Sequence, residues 1–187
     1  MKITEAFEGL KRIANGDYVL EGDLVSEESI EIELNDRFVV KGKIVSKKHI
    51  KAGCGIEAGE GIEAGCGIEA GWGIEAGWGI EAGWGIEAGE GIEAGCGIKA
   101  GEGIKAGWGI EAGCGIEAGE GIEAGEGIKA GWGIKAKKYI HSDKRIFAGI
   151  SVYHTSENCK KDIKCAELRK GEICYGNLVI VKTTEEG

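Results

Sequence analysis

The chain has 187 residues with 36 Gly and no Pro, and 32 Asp and Glu outnumber 23 Lys and Arg to give a net charge of −9. Glycine at this level without imino acids excludes a collagen helix, and no run approaches the roughly 18 apolar residues of a membrane span. Seven Cys, none in a C-x-x-C pair, argue against a disulfide framework and a zinc knuckle alike. With no apolar signal core in MKITEAFEGL, they predict a single-domain cytoplasmic protein with reduced thiols, in a host cytosol if phage-encoded.

In chain order, residues 1–16 come first. Ile3, Ala6, Phe7, Leu10, Ile13 and Ala14 fall at helical spacing, with Thr4 placed as an N-cap and Asn15-Gly16 as a stop, which predicts a short N-terminal capping helix. Residues 17–49 read as irregular N-terminal coils. Tyr18–Ile30 matches Phe38–Ile50 position by position at an offset of 20, setting Glu21 against Lys41, Asp23 against Lys43, Glu27 against Lys47 and Glu28 against Lys48. Stacked one coil apart, each acid would sit beside a base.

Residues 50–136 are a perfect hexad repeat. Ile recurs every six residues from Ile50 to Ile140 and again at Ile146, and Phe38, Ile44 and Ile32 extend the frame backwards. Residues six apart do not share a face of an α-helix, and two Gly per hexad would cost it about 2 kcal/mol relative to Ala. In a strand, Ile-Glu-Ala sends Ile and Ala to one side and Glu to the other. Gly-x-Gly then reads as a corner where positive φ is cheap. One such strand buries nothing alone, so the chain must coil and stack. The expected fold is all-β: a single parallel β-solenoid, three-sided, with about 18 residues per coil, because the offset of 20 is three hexads plus two residues.

From residue 137 the period loosens. DIKCAEL and GEICYGNLVIVK read as final strands of C-terminal coils and a cap over 137–187. Tyr153, His154, Cys159, Cys165 and Cys174 share this segment without a catalytic motif, and the cysteines read as small buried hydrophobes. Lys137–Lys170 is basic, a surface for an acidic partner or a second copy.

Every hexad junction spells G-x-G-x-x-A, but that dinucleotide fingerprint works only where a strand gives way to a helix. The fifth hexad position takes Glu, Cys or Trp interchangeably, so it is expected to face water. Of the indoles exposed in this way, Trp72, Trp78 and Trp84 are candidates for a contact surface. Cys54, Cys66, Cys96 and Cys114 occupy the same position, in an order too irregular for a four-ligand metal site. No cofactor, metal or catalytic residue is expected. Charge is the sharper feature: residues 50–136 hold 15 Glu and 5 Lys, and Ala52 to Gly97 hold Glu57, Glu60, Glu63, Glu69, Glu75, Glu81, Glu87, Glu90 and Glu93 with no base. On coils stacked about 4.8 Å apart this is about one charge per 1.4 Å of axis, against about 1.7 Å in duplex DNA.

The Ile-x-Ala frame and Ile163-Lys-Cys165 resemble hexad-repeat β-solenoid proteins of Firmicute and phage type. The three-sided hexad coil is also similar to that of bacterial hexapeptide acyltransferases. Their small inward fifth position is absent here, and their coil-borne catalytic His has no counterpart, since His49, His141 and His154 lie outside the perfect repeat. The acidic rod resembles pentapeptide-repeat and other DNA-mimic proteins. That resemblance implies a non-catalytic binding protein whose nine Glu, with Trp72, Trp78 and Trp84, occupy the basic groove of a nucleic-acid-binding protein, as a phage-type inhibitor of a host nuclease would. The acidic repeat itself would bind neither nucleic acid nor membrane. A self-assembling solenoid or homodimer is the alternative.

Overall fold

In each hexad the triplet behaves as its chemistry demands: Ile80 and Ala82 are buried while Glu81 between them is exposed. The computed structural model describes residues 1–149 and 161–181. After β1 (Lys2–Ile3) and β2 (Leu10–Arg12) come β3 (Tyr18–Leu20), β4 (Leu24–Ser26), β5 (Ile30–Ile32), β6 (Phe38–Val40), β7 (Ile44–Ser46) and β8 (Ile50–Ala52). From β9 (Ile56–Ala58) to β22 (Ile134–Ala136) a three-residue strand recurs every six residues. The described chain closes with β23 (Tyr139–Ala148), β24 (Asp162–Cys165), β25 (Glu167–Tyr175) and β26 (Asn177–Ile180).

Each repeat strand pairs in parallel with the third strand before and after it. Ile62 meets Ile80, Glu63 meets Glu81 and Ala64 meets Ala82. The fold is therefore a parallel β-solenoid with 18 residues between paired positions, built as three interleaved ladders. Ladder 1 runs through β3, β6, β9, β12, β15, β18 and β21. Ladder 2 runs through β4, β7, β10, β13, β16, β19, β22, β24 and β26, and ladder 3 through β1, β5, β8, β11, β14, β17 and β20. The long strand β23 pairs with both β20 and β21 and fuses ladders 1 and 3 into a 17-stranded sheet, leaving ladder 2 as a 9-stranded one. Through the repeat Ile stacks on Ile and Ala on Ala along each ladder, so side-chain volume matches rung for rung.

The first coils have the expected spacing of 20: Tyr18 pairs with Phe38, Leu24 with Ile44 and Ile30 with Ile50. Phe38 already pairs with Ile56, at 18, so the two extra residues sit in the corner between β5 and β6. There Leu34 turns into the core. The register sets Ile32 opposite Ala52, making Ile32 the third residue of its triplet and not, as its place in the six-residue count suggested, the first.

The N-terminal helix is not formed, and no helix occurs among the described residues, hence none long and apolar enough to cross a membrane. Instead β1 pairs with β5, setting Ile3 beside Ile32, and β2 pairs antiparallel with β3, setting Leu10 beside Leu20. Thr4 is no N-cap: its carbonyl accepts the Phe7 N–H at 2.9 Å in a turn, and Gly9 at φ 79° reverses the chain. A dozen residues form at best a marginal helix in water, whereas the first coil offers unpaired strand edges. Pairing them satisfies backbone donors and blunts the edge against another chain.

Glycine serves the corners for a different reason than expected. Positive φ among the described glycines is confined to Gly9, Gly16, Gly22, Gly149, Gly171 and Gly176, all outside the perfect repeat. Within the repeat the constraint is proximity between coils. A Cβ on Gly77 would stand 2.1 Å from the Gly59 carbonyl oxygen one coil away. That approach lets the Gly77 N–H reach the Ala58 carbonyl at 3.0 Å and the Trp78 N–H reach that of Glu60 at 3.0 Å, so the corners carry rung-to-rung hydrogen bonds as the strands do.

Three serines replace the inward Ala and stay satisfied. Ser26, Ser46 and Ser142 are buried; the Ser46 hydroxyl donates to the Glu28 carbonyl at 3.0 Å, and that of Ser142 to the Glu126 carbonyl at 2.6 Å. Toward the C-terminus β24 keeps the frame, with Ile163 beside Ile134, and β26 stacks on β24 with Leu178 beside Ile163.

Candidate interaction surfaces

An 18-residue coil sorts every outward position into columns. The strand-centre column of ladder 1 starts on the buried Val39 and reads Glu57, Glu75, Glu93, Glu111, Lys129 and Phe147. That of ladder 2 reads Val45, Glu63, Glu81, Lys99, Glu117, Lys135 and Lys164. Ladder 3 presents Glu31, Lys51, Glu69, Glu87, Lys105, Glu123 and His141. The nine Glu between Ala52 and Gly97 therefore do not share a face. Glu57, Glu75 and Glu93 lie on ladder 1, Glu63 and Glu81 on ladder 2, Glu69 and Glu87 on ladder 3, while Glu60 and Glu90 stand at corners.

The few bases meet these acids one coil away. Lys51 pairs with Glu69 at 3.0 Å, Lys99 with Glu81 at 2.9 Å, Lys105 with Glu87 at 3.6 Å and Lys135 with Glu117 at 2.6 Å. Lys129 pairs with Glu111 and Lys48 with Glu28. Of the four acid–base matches read between the first coils, only Glu28–Lys48 is an ion pair among the described residues; Asp23 accepts the Lys43 backbone N–H instead, at 3.1 Å. Such solvated pairs each contribute about 0–1 kcal/mol, but they decide where bare charge remains. Among the described residues Glu60, Glu63, Glu90 and Glu93 have no ion-pair partner.

Ladder 1 is the one ladder with four Glu on consecutive coils. Arg37 clasps its lower end, 3.0 Å from Glu57 and 3.8 Å from Glu75, and Lys129 closes the upper end on Glu111. Between them Glu75 is held above its ordinary pKa, first by burial and then by the charges of Glu57 and Glu93, with Arg37 opposing. Beside this column runs a groove walled by Trp72, Glu90 and Trp108. Its floor is the second corner glycine of each hexad, which has no side chain to fill the trough.

Corner columns separate the indoles that neighbour one another in sequence. Cys54, Trp72, Glu90, Trp108 and Glu126 form the corner into ladder 1; Glu60, Trp78, Cys96, Cys114 and Trp132 the corner into ladder 2; Cys66, Trp84, Glu102 and Glu120 the corner into ladder 3. Trp72, Trp78 and Trp84 are all exposed, yet each stands on a different corner. Trp84 lies edge-on to His49, with ring centroids 5.2 Å apart. Two indole pairs share grooves: Trp72 with Trp108, two rungs or about 10 Å apart, beside the acidic column, and Trp78 with Trp132, three rungs apart, on the corner into ladder 2; Trp108 and Trp132 are not among the three candidates read from the sequence. The fifth position faces water with one exception: Cys54 is buried, because the enlarged corner of the preceding coil lies beside it.

The cysteines are distributed in the same way. Among the described cysteines only Cys96 and Cys114 are neighbours, on successive coils of one corner; Cys165 is buried in the core and Cys174 is exposed. Among the described residues no three His, Cys, Asp or Glu side chains are grouped to hold a metal ion. Tyr153, His154 and Cys159 lie outside the described residues.

Residue spacing of 18 would have found both the acidic column and the thiol pair. In linear order the acids form one belt and the indoles one run; wound at 18 residues per coil, both separate onto three ladders. No protein-family model, no curated protein and no solved structure matches the chain.

Proposed function

We propose that this solenoid is a non-catalytic, cytoplasmic binding protein whose acidic column on ladder 1 occupies the basic groove of a nucleic-acid-binding protein. In this reading the three ladders are the sides of a three-sided rod. Glu57, Glu75, Glu93 and Glu111 stand in for a run of phosphates at intervals of about 4.8 Å, while Trp72 and Trp108 supply apolar contact at the rim. One observation carries the proposal: Glu75 stands among like charges, its pKa raised by burial and by Glu57 and Glu93, where a merely soluble surface would place a Lys, as ladders 2 and 3 do within one or two coils. Glu60, Glu63, Glu69, Glu81, Glu87 and Glu90 extend the negative field around the rod and steer the approach.

The test is capture on immobilised protein followed by competition. Nucleic-acid-binding proteins should be retained, be released by duplex DNA and by raised salt, and be lost from a Glu75→Gln/Glu93→Gln/Glu111→Gln variant that keeps its fold. Retention by that variant at wild-type level would refute the reading.

A second reading, self-assembly, rests on the last described rung. Tyr175, Leu178, Ile180 and Val181 are exposed there, and β26 is the outer strand of ladder 2 among the described residues. Association through that edge would persist at high salt, where docking by charge would not.

A further inference from the structure

We propose that Cys96 and Cys114 form a redox-convertible pair, closing a disulfide between successive coils at the corner into ladder 2. The strand registers on either side, Ile92 with Ile110 and Ile98 with Ile116, place the two residues in line, and the Cys114 N–H donates to the Cys96 carbonyl at 2.8 Å. In-register neighbours lie about 4.8 Å apart, inside the roughly 4.4–6.8 Å that a disulfide spans between Cα atoms. Both are free thiols, Cys96 exposed and Cys114 half-buried. Burial first, and then the neighbouring Cys96 side chain, push the Cys114 pKa up.

No other described thiol has such a neighbour. Cys54 and Cys66 stand on the other two corners and Cys165 in the core. Parallel side chains one rung apart hold their Cβ atoms slightly beyond the roughly 3.5–4.5 Å of a relaxed bridge, so the bond would be strained and readily reduced. It stays open in a reducing cytosol and closes as the thiol–disulfide balance turns oxidising. The oxidant is a low-molecular-weight disulfide of the glutathione class. The exposed Cys96 thiolate attacks one of its sulfurs, its S–S bond breaks and one thiolate leaves. The Cys114 thiolate then attacks the Cys96 sulfur of the mixed disulfide and expels the second. Two protein thiols are oxidised to one disulfide, and the oxidant is reduced to two thiols that take up the two protons. The closed bridge ties successive coils together beside the groove between Trp78 and Trp132.

The experiment equilibrates the folded full chain in glutathione buffers of rising oxidised-to-reduced ratio, blocks remaining thiols by alkylation and digests with trypsin, which cuts between the two cysteines at Lys99 and Lys105. The expected product is peptide 52–99 linked to peptide 106–129. It should be absent from Cys96→Ser and from Cys114→Ser, and retained in a Cys54→Ser/Cys66→Ser variant. Oxidation should also raise the unfolding midpoint of the wild type and leave that of Cys96→Ser unchanged. Recovery of both cysteines as alkylated thiols or as separate glutathione adducts at every ratio would overturn the proposal, as would a linked product in Cys96→Ser.

Discussion

Gly77 and Gly79 flank the same corner residue, Trp78, and look equivalent in the hexad, yet they meet different surroundings. A Cβ on Gly77 would collide with the Gly59 carbonyl oxygen at 2.1 Å, whereas one on Gly79 would meet that of Gly97 at 3.2 Å. Gly77→Ala must separate two hydrogen-bonded coils and should cost about 1–3 kcal/mol or more. Gly79→Ala needs a shift of a few tenths of an ångström, offset by the roughly 0.4–1 kcal/mol gained from a less flexible unfolded chain, and should be near neutral. Denaturant unfolding of the two variants checks this; equal losses would show that the corner constrains both glycines alike. That the corners need glycine was legible from the hexad. The cause was not, because the atom that excludes a side chain belongs to a residue 18 positions away, and local reasoning supplied a φ preference instead.

Strands and columns were legible to different degrees. The triplets of β9 to β22 follow from alternation alone, since Ile-x-Ala between glycines has no other way to bury two side chains. Residues 3–14 misled because Ile3, Ala6, Phe7 and Leu10 satisfy a helical period while their partners are the edges of β3 and β5, supplied only by the folded coil. The acidic column of ladder 1 is an element in its own right, and its electrostatics are testable. Glu75 has a folded-state pKa above its ordinary 4.5, so its protonation favours the folded chain. That contribution is complete below about pH 4.5 and is lost as pH rises through the folded value, the reverse of a paired carboxylate. Glu75→Gln should therefore stabilise at pH 7 by on the order of 0.5 kcal/mol, a small figure because the group is half in solvent. The advantage should vanish on acidification below about pH 4.5. Thermal melts of wild type and variant across pH 3–8 read the difference directly. A constant difference, or a variant less stable at pH 7, would mean that the Arg37 contact outweighs repulsion from Glu57 and Glu93.

At the scale of the whole molecule the repeat separates folding from surface, because identical hexads stack equally well whichever ladder they occupy. Removing residues 80–85, one hexad, leaves Ile above Ile and Ala above Ala throughout the repeat. Removing residues 80–97, one full coil, does the same. Solenoid stability is close to a sum of neighbouring terms, so both shortened chains should fold, with a modest fall in unfolding midpoint that is larger for the full coil. Their surfaces diverge. Loss of a full coil brings Glu111 directly above Glu75, and ladder 1 still presents Glu57, Glu75 and Glu111. Loss of a hexad moves every later residue to the preceding ladder: Lys99 lands above Glu75, Glu93 and Glu111 move above Glu69 on ladder 3, and Trp108 goes with them while Trp72 stays on the corner of ladder 1. If the column and its two rim indoles together are the binding surface, the chain lacking 18 residues, which keeps Trp72 and Trp108 on successive coils beside Glu57, Glu75 and Glu111, should keep much of its affinity for a basic partner, and the chain lacking only 6, which parts the two indoles, should bind more weakly. Circular dichroism and melting curves would confirm that both fold, and binding measured at low and raised salt would rank them. The opposite order, or equal binding, would show that the paired indoles are dispensable and that recognition depends on negative charge alone or on the ends of the rod, where Tyr175, Leu178, Ile180 and Val181 are left exposed, because none of these requires Trp72 and Trp108 to share a corner.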